Sequence, residues 1–249
     1  MLEQAEINDR TAVVRERIAA AARRSGRQPD DITLVAVTKT WPAELVLRAH
    51  AAGLYQVGEN RPEELAQKRP QVEAALGTSE PLTWHLIGTL QSRKTDLAAA
   101  HADLFHALDR VKIANRLSRD LVANGRQVPV FVEVNVSGEA SKSGFNCTNW
   151  ENDATQRELL RTGLIEVGQL PGLTPVGLMT MAPWDVSPDE VRQVFYRTRL
   201  LRDWLQNEIP GMVGNWLSMG MTDDFELAIE EGATHVRVGR ALFGERTPH

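Results

Sequence analysis

The chain of 249 residues has one cysteine, Cys147, so it can form no internal disulfide and the small disulfide-stapled secreted folds are excluded. It also lacks any stretch near the roughly 18 uninterrupted apolar residues of a membrane span. The opening residues, MLEQAEINDR, are too polar for a signal peptide, and together with the lone cysteine they predict a reducing cytoplasm. Positive charge is not in excess: 28 Lys and Arg against 33 Asp and Glu leave a net charge of −5. Neither nucleic acid nor an anionic membrane is therefore an expected partner. The histidines, at 50, 85, 101, 106, 235 and 249, show no H-x-x-x-H or Cys-paired spacing, so no metal site is expected. His85 is read as part of a folded loop after the third strand. Tyrosines are scarce. Tyr55 begins a strand and Tyr196 falls within a helix, so neither is well placed as a catalytic acid, and Cys147 lacks the His and Asn pattern of a thiol nucleophile. No fixed-period repeat and no Pro/Gly/Ser-rich linker divides the chain.

What remains is an ordinary globular composition, 42% apolar and 24% charged, arranged as alternating helices and strands. Val14, Ile18, Ala21 and Ala22 share one helical face that ends at Gly26, so a helix precedes the first strand. Strands are predicted at Ile32 to Val37, Leu54 to Val57, Trp84 to Ile87, Leu104 to Ala107, Val128 to Asn135, Thr174 to Met179, Trp216 to Ser218 and His235 to Val238. Helices are expected at Pro42 to Ala52, around Gln91 to Ala100, and at Asp109 to Asn124 with Asp109 as cap. Another follows the Ser187, Pro188, Glu190 capping box, with Val191, Val194, Phe195, Leu201, Trp204 and Leu205 as its apolar stripe. A further start lies at Thr222, Asp223 and Asp224, with Glu226 available for a capping box. Asn146 to Leu173 reads as an irregular loop-and-helix excursion. About eight strands, most followed by helix, in about 250 residues give an α/β fold: a single (β/α)₈ TIM barrel over 1–249 with an extra N-terminal helix. A doubly wound open sheet is the competing architecture.

Barrels gather function where strands end at their carboxyl side. The first strand runs into Thr38, Lys39 and Thr40, placing an amine at the barrel mouth, where desolvation can make it a nucleophile toward an aldehyde. A solvated strand-end lysine is the plainer alternative. After the seventh strand comes Ser218-Met219-Gly220-Met221, and after the eighth Gly239-Arg240, the two loops between which barrels frequently hold phosphate. Turns needed only for chain reversal would look similar. Arg237, on the last strand, is either an ordinary paired cation or the partner of a ring nitrogen. An amine, a phosphate cradle and that arginine together call for pyridoxal 5′-phosphate, whose aldehyde, phosphate and pyridine nitrogen need those three groups. Arginine is a permanent cation and cannot accept a hydrogen bond from a protonated ring, so the ring would be a weak electron sink.

VAVTKT at Val35 to Thr40, GEN at Gly58 to Asn60, WHLIGTLQSRK at Trp84 to Lys94, SKSG at Ser141 to Gly144, GLMTM at Gly177 to Met181, LSMGM at Leu217 to Met221, and VRVG with LFG at Val236 to Gly244 resemble the pyridoxal phosphate homeostasis protein family. The resemblance runs from about Ile32 to Gly244. It implies a barrel like the N-terminal domain of bacterial alanine racemases, with Lys39 carrying the cofactor as a Schiff base and Asn60 near its ring. It further implies Ser218, Gly239 and residue 240 around the phosphate, and Arg237 near the ring nitrogen. Two positions depart from the family pattern: Arg240 stands where Thr or Ser is usual, and Arg93 where Asn is common. The expected function is binding of pyridoxal 5′-phosphate for intracellular cofactor homeostasis, by buffering or delivery, as a monomer or weak dimer. Apoenzymes that use the cofactor are the candidate recipients, and robust catalytic turnover is not expected. A pyridoxal-phosphate-dependent amino-acid racemase or lyase is the alternative, and a sugar-phosphate barrel enzyme with Lys39 as Schiff base a further one.

Overall fold

A computed structural model describes residues 2–139 and 142–245. Ser141 of the SKSG motif, His249 and the extreme ends of the expected 1–249 domain lie outside the described residues. Helix α1 (Gln4–Arg24) comes first, as its apolar stripe requires, and buries Ile7, Val14, Ile18, Ala21 and Ala22. Eight parallel strands then close a barrel: β1 (Thr33–Val37), β2 (Gln56–Glu59), β3 (Thr83–Leu86), β4 (Leu104–Leu108), β5 (Val128–Asn135), β7 (Leu173–Met179), β8 (Trp216–Ser218) and β9 (His235–Val238). The two-residue β6 (Phe145–Asn146) pairs with β5 outside that ring. Neighbours run β4-β3-β2-β1-β9-β8-β7-β5, and pairing of β4 with β5 closes the circle. The order leaves no open edge in the eight-stranded ring and rules out the doubly wound sheet.

Helices α2 (Ala43–Ala51), α3 (Pro62–Leu76), α4 (Thr95–His101), α5 (Val111–Ala123), α6 (Ala154–Gln169), α7 (Pro188–Glu208), α8 (Phe225–Glu230) and the single turn α9 (Arg240–Phe243) cover the outside. The Ser187–Glu190 capping box forms as its spacing predicts, with each side chain serving the other's backbone N–H. Several expectations need correction. Residue 62 opens a 15-residue helix, α3, that the pattern of charges around an internal Pro70 conceals. The supposed excursion from Asn146 to Leu173 contains a regular helix, α6, capped by Asp153, whose carboxylate accepts from the N–H groups of Thr155 and Gln156. Asp109 does not cap α5; Arg110 holds the cap position, and Asp109 is buried at the end of β4. Nor does Glu226 close a capping box: it pairs with Arg17 of α1, tying the N-terminal helix to α8. His85 lies inside β3, in the barrel interior, rather than in a loop after it.

Candidate functional site

Lys39 stands two residues beyond the end of β1, and the residues on either side of it are fastened. Thr38 is fully buried; its hydroxyl donates to Glu59 Oε1 at 2.7 Å, and its carbonyl accepts from Lys68 Nζ at 2.9 Å. Lys68 also meets Glu59 Oε1 at 2.9 Å. On the other side, Thr40 takes a left-handed φ of 68° and gives its N–H to Glu64 Oε2 at 3.1 Å. A non-glycine residue in that region carries local strain, which the α3 carboxylate offsets. The lysine is thus presented by a turn that β2 and α3 hold from both ends. Burial pushes the Glu59 carboxyl up to about 7, against the opposing pull of Lys68.

The mouth of the barrel opens into a cavity of about 440 Å³. Lys39, Asn60, Arg237, Gly239 and Arg240 all stand on its wall, so residues drawn from β1, β2 and β9 converge as the strand-end reading expects. Trp41, Met181, Trp184 and Met221 supply apolar surface around them. Gly239 brings the end of β9 close to β1: a Cβ there would sit 3.3 Å from the Val37 carbonyl oxygen. Arg240 pairs with Asp223 at the rim, both side chains being substantially exposed. Ser218 stands apart from the others, fully buried, with its hydroxyl turned into a hydrogen-bond chain inside the barrel. The hydroxyl beyond that loop that does reach the cavity is that of Thr222, beside Met221 and Asp223, and its Oγ1 accepts from the Ala241 N–H at 3.4 Å. The sequence pattern gave Thr222 only a helix-start role, although a hydroxyl two residues after Gly220 was the available signal.

Arg237 is buried and held by neutral acceptors: the Ser218 carbonyl at 2.9 Å, the Ser218 hydroxyl at 2.6 Å and the Thr180 carbonyl at 3.1 Å. Five N–H donors against three such bonds leave capacity for a ligand. Burial lowers its pKa to about 10, with Asp224 and Glu133 opposing, so it remains a cation at neutral pH. Below it the chain continues from Ser218 Oγ to His106 Nδ1 at 2.7 Å, from His106 Nε2 to His85 Nδ1 at 2.8 Å, and from His85 Nε2 to Gln56 Oε1 at 2.8 Å. Gln56 Oε1 can only accept, so each ring must donate through Nε2 and accept at Nδ1, and Ser218 donates to His106. Burial drives His85 to a pKa of about 3 and His106 well below the usual imidazole value, so both are neutral. The chain fixes the tautomer of each ring and the direction of every hydrogen bond up to Arg237.

The match to known proteins covers nearly all of this architecture. The model of the alanine racemase N-terminal domain fits residues 11–247. A pyridoxal phosphate homeostasis protein of Pseudomonas aeruginosa is 42% identical over 96% of this chain and 96% of its own. The chain belongs to the pyridoxal phosphate homeostasis protein family. Among solved structures, a protein from Bifidobacterium adolescentis superposes with a TM-score of 0.86 at 35% identity, covering 98% of each chain. The Synechococcus elongatus protein PipY, solved with pyridoxal phosphate bound, has a TM-score of 0.78 at 33% identity over 96% of this chain and 100% of its own. Among the described residues, no helix is long and apolar enough to cross a membrane, and no cluster of three or more His, Cys, Asp or Glu could hold a metal ion.

Proposed function

We propose that this chain binds pyridoxal 5′-phosphate at the barrel mouth through Lys39 and serves cofactor homeostasis, keeping the aldehyde covered and yielding it to apoenzymes. The observation that carries this is the meeting of Lys39, Asn60, Arg237 and Gly239 on one cavity wall, with Thr222 and Arg240 beside them. The donor set fits the cofactor group by group. Lys39 offers a primary amine, Arg237 a fixed cation with spare N–H donors for a pyridine nitrogen, and Arg240 with Thr222 a cation and a hydroxyl for a phosphate. When bound, the cofactor supplies an aldehyde that condenses with a primary amine and a ring that can withdraw electrons. Arg237 cannot accept a hydrogen bond from that ring, which keeps the ring nitrogen unprotonated and its electron withdrawal weak. The same arginine therefore favours holding over turnover. Arg240 can exchange Asp223 for a phosphate with little loss, because its present partner is exposed and solvent-screened. Relatives named for pyridoxal phosphate homeostasis, and the structure of PipY with the cofactor bound, support the reading.

The test is the absorbance of protein purified or reconstituted with the cofactor, followed by borohydride reduction and peptide mapping. Wild type is expected to be yellow and to carry the reduced pyridoxyl group on Lys39, and Lys39→Ala to be colourless but folded. Label on Lys94 or Lys142 instead would overturn the assignment.

A further inference from the structure

We infer that a second lobe of the mouth is a binding subsite for a primary alkylamine, with Glu133 as the group that receives the hydrogen of its ammonium. The lobe, of about 280 Å³, shares Asn60, Ile87 and Met181 with the cavity that holds Lys39, so the two adjoin. Glu133 stands on its wall at the carboxyl-terminal half of β5. It is only 2% exposed, yet its Oε2 meets no hydrogen-bond partner. A buried carboxylate oxygen without a donor is costly, and such an atom facing a cavity marks a place where a donor can arrive.

The charges around Glu133 select a cation as that donor. Asp109, at the end of β4, has one carboxyl oxygen paired with Arg110 and the other without a partner, and it acts repulsively on Glu133. Arg237 attracts Glu133, but its hydrogen bonds go to Ser218 and Thr180. Lys94, on the rim, is paired with Glu63. Two carboxyls do not make a metal cage, and although Arg61 and Lys94 also line the lobe, an anion set against Glu133 would face both Glu133 and Asp109. An ammonium needs only acceptors, which Glu133 and the hydroxyl of Thr89 offer, while Ile87, Met179 and Met181 suit an alkyl chain. The ligand class that fits is a primary alkylamine such as a lysine side chain.

The inference rests in part on Lys39 holding the cofactor next door, and it gives that site a route of release. Burial, with the added repulsion of Asp109, pushes the Glu133 carboxyl up to about 7, so near neutral pH it can take a proton from the entering ammonium. The resulting neutral amine forms a new C–N bond at the carbon that Lys39 holds, and the C–N bond to Lys39 breaks. Lys39 departs as an amine and takes up the proton that Glu133 received, so the charge of the linkage is unchanged.

Two measurements test this. In cofactor-free protein, the carboxyl ¹³C resonance of Glu133 is expected to shift on addition of ethylammonium chloride and not of tetramethylammonium chloride, which has no N–H to give. In cofactor-loaded protein, added ethylamine is expected to discharge the chromophore. Glu133→Gln should slow that discharge at least about tenfold per bound cofactor, and Glu133→Asp should restore part of it. A Glu133 resonance indifferent to ethylammonium, or equal discharge from wild type and Glu133→Gln, would overturn the inference. Colourless wild type would instead defeat the cofactor reading, while the resonance experiment still decides the amine subsite.

Discussion

The Thr38 hydroxyl donates to Glu59 Oε1 at 2.7 Å, so the residue before Lys39 is tied to the last residue of the neighbouring strand. Lys68, from α3, completes the junction by binding both the same oxygen and the Thr38 carbonyl. Removing one member of a buried pair ordinarily costs about 3–5 kcal/mol. Glu59 has an escape, because its folded-state pKa already stands near 7 and loss of Lys68 raises it further. A carboxyl whose pKa is raised on folding favours the folded state while protonated, and that contribution fades as pH rises through the folded value. Lys68→Met is therefore expected to destabilise the protein by the full amount at pH 8.5 and by clearly less at pH 6. Urea unfolding at the two pH values measures this, and an equal loss at both would show that Glu59 stays charged.

Ser218 is expected to act on the cofactor through Arg237 more than through a phosphate. Ser218→Ala removes a donor to His106 Nδ1 and an acceptor from Arg237, both buried, which should cost about 1–3 kcal/mol of stability. Its affinity for pyridoxal and for pyridoxal 5′-phosphate should fall by similar factors. Thr222→Ala, on the cavity wall, should instead weaken only the phosphate-bearing ligand. Titrating both variants with both ligands separates the roles, and a phosphate-selective loss in Ser218→Ala would return Ser218 to the cradle.

The barrel was legible because its strands are short aliphatic runs ending in polar residues, and because strand ends fix where Lys39, Asn60, Arg237 and Gly239 must meet. The supporting layer was harder to read. Lys68 interrupts the buried face of α3, since it is buried as the partner of Glu59 rather than for its hydrophobicity. His85, His106 and Arg237 sit in strands whose inward positions are polar and mutually satisfied, a pattern that resembles a solvent-facing alternation until the barrel is closed. Glu133 offered a signal that went unused, a lone acid within the apolar run VPVFVEVN. An acid there requires a partner, and the partner is absent from the local sequence.

Gly88 fixes the position of Asn60, which borders both lobes of the mouth. A Cβ at residue 88 would lie 2.3 Å from the Asn60 carbonyl oxygen and 2.6 Å from its Oδ1, distances that no methyl group tolerates. Gly88→Ala is expected to cost about 1–3 kcal/mol through overpacking and to weaken cofactor retention by displacing Asn60. Thermal unfolding and equilibrium dialysis of the cofactor check the two effects. Unchanged retention in a destabilised protein would mean that Asn60 does not touch the ligand.

The buried imidazoles make stability depend on pH in a predictable direction. His85 and His235 have pKa values near 3 and His106 lies well below its ordinary value, all through desolvation first. With folded-state values depressed below about 6.5, the unfolded chain takes up protons that the folded chain refuses, so acid favours unfolding. Each such histidine removes about 1.4 kcal/mol of stability per pH unit over that window. Glu59 and Glu133 oppose this, because the folded state holds their protons up to about 7. The difference between wild type and one histidine variant isolates the imidazole from all other groups. His106→Gln can keep one acceptor toward Ser218 and one donor toward His85, so it removes the titration with limited loss of hydrogen bonding. Between pH 6.5 and 4.5 the stability gap between the two proteins should narrow by about 1.4 kcal/mol per pH unit in favour of His106→Gln. Urea unfolding across that range measures the gap. Parallel curves would show that His106 binds its proton equally in both states, which a neutral ring accepting from Ser218 at 2.7 Å could not do.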